Sequence, residues 1–358
     1  MLYHLLFPLS DSFGPFNVFR YITFRAAGAA VTALLLSLLL GPAFIRLLRA
    51  RQLGQRIREE GPRSHQEKAG TPTMGGVLIL TAVVVPTVLW SVLTNPYVWV
   101  ALAVTVAYGA IGFFDDSLKI SRHRSLGLTA RAKFVLQVLA GAAAAVVLLR
   151  LPSFESTLAF PFFKDLVVDL GWFYVPFAVL VLVGTSNAVN LTDGLDGLAI
   201  GATLVAAATY AVFTYLAGNV VLGGYLQVEY IEGVGEVTIF CGALVGASLG
   251  FLWFNSHPAE VFMGDVGSLS IGAAIGIVAL LAKQEILLIL VGGLFVLEAL
   301  SVIAQVTSFK LTGKRVLRMA PLHHHFELAG WAESKVIVRF WILSLLFALL
   351  SLSTLKLR

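Results

Sequence analysis

The residues best suited to chemistry are acidic, and they sit in an apolar chain. Asp115 and Asp116 follow the apolar stretch Ile111-Gly112-Phe113-Phe114. Carboxylates at the C-terminal end of a helix meet an unfavourable dipole, so a cation should lie close by. Two adjacent carboxylates also resist joint ionisation unless a metal or a lysine is near. The pair therefore suits a Mg²⁺ site or a general base, against the plainer alternative of a solvated acidic helix end.

Four more polar groups accompany them. The stretch Asn190-Leu191-Thr192-Asp193-Gly194-Leu195-Asp196-Gly197 sets Asn190, Asp193 and Asp196 three residues apart, on one face if the segment is helical. Its glycines would let backbone approach a ligand, and a polar reverse turn is the alternative. The stretch from Asn255 through Asp265 ends at Asp265, which, in Phe262-Met263-Gly264-Asp265-Val266-Gly267-Ser268, falls where a helix should start, as an N-cap or as a hard oxygen ligand beside phosphate. The run His323-His324-His325 is a poor site for one transition metal because consecutive side chains diverge; donors to phosphate or ribose oxygens fit better. Finally, Lys68 precedes the glycine-rich stretch Gly70-Thr71-Pro72-Thr73-Met74-Gly75-Gly76, which lacks the Gly-Lys-Ser/Thr ending of a P-loop.

These groups must be held by a membrane scaffold. Of 358 residues, 58% are hydrophobic and 13% charged, and the mean hydropathy is +0.89. Such a composition excludes an ordinary soluble domain. The single cysteine, Cys241, excludes an intrachain disulfide or a thiolate cluster. Apolar runs long enough to cross ~30 Å of hydrocarbon recur near 19–45, 74–93, 97–114, 131–150, 173–190, 197–216, 237–254, 264–282, 286–308 and 336–356. The spacing predicts an all-α polytopic protein of about ten transmembrane helices, in one domain spanning 1–358, with short hinges near Asn95-Pro96 and Lys283-Gln284-Glu285. The segments 151–172 and 217–236 have room for short strands or helices. The first apolar run is too long for a removable signal peptide and reads as an anchor.

The net charge of +5 points to topology and not to nucleic acid. Arg46, Arg49, Arg51, Arg56, Arg58, Arg63 and Lys68 follow the first run, Lys119, Arg122, Arg124, Arg131 and Lys133 the third, and Lys310, Lys314, Arg315, Arg318 and Lys335 the ninth. Segment 217–236 has no lysine or arginine and carries Glu229, Glu232 and Glu236. The positive-inside rule places the odd-numbered connections in the cytoplasm and both termini outside. All five polar groups then fall on the cytoplasmic side.

Together these motifs resemble the bacterial phospho-N-acetylmuramoyl-pentapeptide transferases, within the polyprenyl-phosphate N-acetylhexosamine-1-phosphate transferases. The likeness runs from Asn17-Val18-Phe19 to Glu327, and the run Ala320-Pro321-Leu322-His323-His324-His325 is its most specific mark. The resemblance implies a ten-helix enzyme of the bacterial cytoplasmic membrane, commonly a homodimer. It implies Mg²⁺-dependent conversion of UDP-N-acetylmuramoyl-pentapeptide and undecaprenyl phosphate to lipid I and UMP. By motif match, Asp265 resembles the magnesium ligand, with Asp116 beside it, and Asp115 and Asp116 form the essential acidic pair. His323 joins the catalytic group. Asn190, Asp193, Asp196, Asn255, Phe262, Ser268, Gln305 and His324 resemble the wall of the substrate cleft, with Lys68 and Thr73 at its edge.

Phosphoryl transfer requires positioning and charge neutralisation above all. Two routes stay open: single displacement, with Asp115 deprotonating or orienting the lipid phosphate and Asp265 holding Mg²⁺, or double displacement through an aspartyl phosphate. A sister transferase using UDP-N-acetylglucosamine is the alternative within the enzyme class, disfavoured by the histidine run. An ion-coupled transporter would more often show repeat halves and midplane acids. A lipid-binding scaffold would not need so many convergent acids and histidines.

Overall fold

Hydropathy alone dictates most of the architecture. The computed structural model describes residues 1–51, 70–121, 127–161 and 163–355. Among them lie ten apolar helices: α1 (Ile22–Ala50), α2 (Gly76–Trp90), α3 (Pro96–Ser121), α4 (Ala130–Leu149), α5 (Tyr174–Thr192), α6 (Leu198–Ala217), α7 (Val237–Asn255), α8 (Gly264–Leu281), α9 (Gly293–Thr312) and α10 (Glu333–Ser353). Nine are long and apolar enough to cross a bilayer, and α2, at 15 residues, is the short one. All ten coincide with the apolar runs of the sequence. Segment 151–172 carries an antiparallel hairpin, Thr157–Phe160 against Phe163–Asp169 with Leu158 opposite Val168, and segment 217–236 carries the short helix Val220–Leu226.

Helix α8 is the hub, packed against α3, α5, α2 and α6 and almost wholly buried, whereas α9 is the least buried span. With no hydrophobic drive between helices in lipid, close approach depends on small residues. Two glycines show how close. A Cβ at position 76 would lie 2.0 Å from the Gly267 nitrogen, and one at position 112 would lie 2.2 Å from the Asp265 carbonyl oxygen. These contacts bring the start of α2 and the last turns of α3 onto the first turn of α8.

Three local expectations are revised. Asp115 and Asp116 do not end a helix, because α3 continues to Ser121. Lys119 supplies the missing cation from inside the same helix, at i+4 and i+3. Asp265 is not an N-cap: Met263 holds that position and Asp265 lies in the first turn. The segment from Asn190 to Gly197 is not one helix, since α5 ends at Thr192 and Gly197 takes a left-handed φ of 78°.

At the opposite end of the bundle, buried charges tie elements together. Arg25 donates to both oxygens of Glu236, at 2.7 and 2.6 Å. Lys283, read from the sequence as part of a hinge, is buried between the rings of Phe154 and Tyr174 and donates to the carbonyls of Glu155 and Thr157. That ammonium fastens the start of the hairpin to the end of α8.

Candidate active site

The crossing of α3 and α8 at Gly112 places Asp115, Asp116 and Asp265 together, with one oxygen of each within 4.8 Å of the others. Asp115 and Asp116 are buried and Asp265 is partly so. Backbone amides orient the first two: Leu128 N–H donates to Asp115 Oδ1 at 2.8 Å, and Val266 N–H to Asp116 Oδ2 at 3.1 Å. Three carboxylates this close need positive charge. Lys119 Nζ lies 2.6 Å from Asp115 Oδ2, 3.2 Å from Asp116 Oδ1 and 2.9 Å from Asp265 Oδ2, and Lys133 Nζ lies 2.7 Å from Asp265 Oδ2.

Around this cluster, Asn190 Nδ2 donates to Asp265 Oδ1 at 2.9 Å and to Ser268 Oγ at 2.7 Å. Thr73 is drawn in by a short backbone ladder, Phe262 N–H to Pro72 O, Gly75 N–H to Phe262 O and Gly76 N–H to Met263 O, each 2.8 Å. A Cβ on Gly264 would fall 3.0 Å from Thr73 Oγ1 and 2.5 Å from Asp116 Oδ2, so glycine keeps the threonine and the aspartate adjacent. Phe262, half-buried, sits on this ladder. Lys68 lies outside the described residues.

The turn after α5 forms the next part of the wall. Asp193 caps α5; burial first, then the carboxylates of Asp265, Asp116 and Asp196, push it up to about 8. Asp196 turns away from the cluster and accepts from Ala259 N–H at 3.1 Å, with His257 Nδ1 also 3.1 Å away. Glu333 Oε1, from the first turn of α10, accepts from Asp196 N–H at 3.3 Å. Asn255 braces this turn, accepting from Gly197 N–H at 3.1 Å and donating to Val261 O at 2.9 Å.

The three histidines diverge as adjacent side chains must. His323 is wholly buried against the Gly194 turn, with Nδ1 3.2 Å from Glu298 Oε1. His324 Nδ1 pairs with Glu327 Oε2 at 2.7 Å, and His325 Nδ1 accepts from Arg318 N–H at 3.2 Å. Gln305 binds the backbone of Val316 and Leu317 and so shapes the connection leading to the histidines.

Sequence reasoning placed Lys119 and Lys133 only as topological charges and passed over Glu298, His257 and Glu333. The i+4 spacing from Asp115 to Lys119 and the isolated acid Glu298 inside α9 were the available signals.

A hard, all-oxygen donor set of three carboxylates fits Mg²⁺, and the position of the Lys119 ammonium among them shows that they favour a cation. The family described as Glycosyl transferase family 4 matches residues 98–283, and the first phospho-N-acetylmuramoyl-pentapeptide-transferase signature matches residues 68–80. The chain is 60% identical to the phospho-N-acetylmuramoyl-pentapeptide-transferase of Nitratidesulfovibrio vulgaris and 58% identical to that of Syntrophus aciditrophicus. It is 57% identical to that of Oleidesulfovibrio alaskensis, and all three matches cover 100% of both chains.

Proposed function

The chain belongs to the phospho-N-acetylmuramoyl-pentapeptide-transferase family of multi-pass membrane enzymes, and from that premise we propose that it uses UDP-N-acetylmuramoyl-pentapeptide and undecaprenyl phosphate to make lipid I and UMP. The observation that carries this reading is the three-aspartate, two-lysine cluster at one end of the bundle. A hydrocarbon-anchored phosphate and a water-borne diphosphate both reach such a place. The enzyme works as one domain, in the cytoplasmic membrane of a bacterium, with the cluster facing the cytoplasm and both termini outside. It pairs as a homodimer.

Asp265 and Asp116 would hold Mg²⁺, which supplies charge neutralisation for the phosphate oxygens. Asp115, with Oδ1 fixed by Leu128 and Oδ2 facing the cluster, orients or deprotonates the lipid phosphate. One of that phosphate's oxygens attacks the diphosphate phosphorus nearer the sugar; the bond from that phosphorus to the bridging oxygen breaks, and UMP departs with the bridging oxygen. Lys119 and Lys133 offset the negative charge that both reactants bring. Thr73, Asn190, Asp193, Asp196, Asn255, Phe262, Ser268, Gln305, His323 and His324 line or brace the donor cleft, and the sequence resemblance assigns Lys68 to substrate binding.

The deciding assay uses full-length protein in detergent. UMP should appear from UDP-N-acetylmuramoyl-pentapeptide only when polyprenyl phosphate and a divalent metal are both present. Equal or faster turnover of UDP-N-acetylglucosamine would move the assignment to the sister transferases.

A further inference from the structure

One turn deeper in the bundle than the aspartates lies a polar group that the mechanism does not use. Gln137 of α4 is wholly buried, and its Oε1 accepts from Asn187 Nδ2 of α5 at 2.7 Å. The backbone carbonyl of Gln137 accepts from the hydroxyl of Tyr108 of α3, also buried, at 2.8 Å. One residue therefore joins three helices. Each helix carries a member of the active site at helical spacing from this node: Lys133 four residues before Gln137, Asn190 three residues after Asn187, Asp115 seven after Tyr108. Lys133 and Asn190 grip opposite oxygens of the same carboxylate, Oδ2 and Oδ1 of Asp265.

We propose that the Gln137–Asn187 bridge is a positioning device that sets α4 against α5 so that Lys133 and Asn190 clasp Asp265 from both sides. Helices in lipid slide and rotate past one another unless packing or hydrogen bonds fix their register, and a shift of one ångström would carry one clasp off its oxygen. The bridge lies roughly 5 Å from the clasp along each helix, near enough for a shift in register to be felt undiminished. Stability alone does not account for it. Gln137 Nε2 is buried with no hydrogen-bond partner among the described residues, so an apolar side chain would serve the packing better.

The proposal rests on the reading of Asp265 as a site residue, and Asp265→Asn, assayed alongside, tests that reading separately: retained turnover in that variant would remove the site assignment itself. In full-length enzyme reconstituted in nanodiscs, Gln137→Leu and Asn187→Leu should each lower kcat about 10- to 100-fold, with KM for the nucleotide donor changed less than about two-fold. The double variant should be no worse than the poorer single, since the bridge is already broken in each. The exchanged pair, Gln137→Asn with Asn187→Gln, should recover part of the lost kcat. If the leucine variants do not assemble, Gln137→Met and Asn187→Ser report on the same bridge. Normal kcat with only a lowered melting temperature would overturn the proposal, as would losses that multiply in the double variant.

Discussion

Glu298 and His323 form a wholly buried pair, carboxylate Oε1 3.2 Å from imidazole Nδ1, joining α9 to the short helix Leu322–Leu328. Neither side chain has a well-formed hydrogen bond to any described residue, the other member of the pair included. Removing one member of a buried polar pair leaves the other unsatisfied and typically costs about 1–3 kcal/mol, whereas replacing both with apolar residues can cost little. Glu298→Leu should therefore lower the melting temperature in detergent more than Glu298→Leu combined with His323→Leu. The double variant would still lose turnover if His323 serves the reaction. A double variant less stable than the single would mean that the pair is favourable as a pair.

Asp193 carries a pH dependence of opposite sign to that of most carboxylates. Its ordinary value is 3.8, and in the folded protein burial and neighbouring acids push it up to about 8. Between these values the unfolded chain has lost the proton while the folded chain keeps it. Stability falls as pH rises through that window and levels off above it. Asp193→Asn should leave stability near pH 4 unchanged and raise the melting temperature at pH 8 by roughly 2 °C or more, measured without added divalent metal. No pH-dependent gain would mean that Asp193 is already ionised in the fold.

The helices were legible because a bilayer permits few alternatives: apolar runs of span length must be helical, and α1 to α10 fall where those runs are. The acids were legible because charge in so apolar a chain is expensive. What was not legible is pairing across long sequence distance. Lys133 reads as one more basic residue in a cytoplasmic connection until α4 is docked and its ammonium meets Asp265, 132 residues away. Asn255 reads as a cleft residue, yet its amide is engaged by Gly197 and Val261, and no local pattern announces that. The extension of α3 through Asp115 and Asp116 was obscured because hydropathy falls there, although the helix is sustained by the Lys119 pairing.

Orientation in the membrane rests on charge counts and is open to direct labelling. The native cysteine, Cys241, is buried in α7 and should not react with an impermeant thiol reagent. Ser256 and Glu232 are both exposed, and α7 separates them. In intact cells or right-side-out vesicles, Glu232→Cys should label from outside, and Ser256→Cys only after the membrane is opened. The reverse pattern would invert the topology and move the aspartate cluster to the outer face.

The division of labour among the aspartates gives the sharpest test of mechanism. Asp265 is held by Lys119, Lys133 and Asn190, and Asp115 by Leu128 N–H and Lys119, so the two carboxylates share one ammonium but face different partners. If Asp265 is chiefly a metal ligand, Asp265→Asn should raise the Mg²⁺ concentration needed for half-maximal rate as well as depress turnover. If Asp115 acts on the nucleophile, Asp115→Asn should leave the metal requirement nearly unchanged. It should lower kcat by ~10² to 10⁴-fold and alter the acidic limb of the pH profile. A lipid phosphate is already largely ionised near neutral pH, which favours the lower end of that range. Rapid quenching with labelled donor separates one displacement from two: a phosphorylated sugar trapped on the protein before lipid is added would replace the direct attack with an aspartyl intermediate. Identical metal and pH behaviour in both variants would merge Asp115 and Asp265 into one coupled metal site, because a base acts on the nucleophile whereas a ligand acts only through the ion.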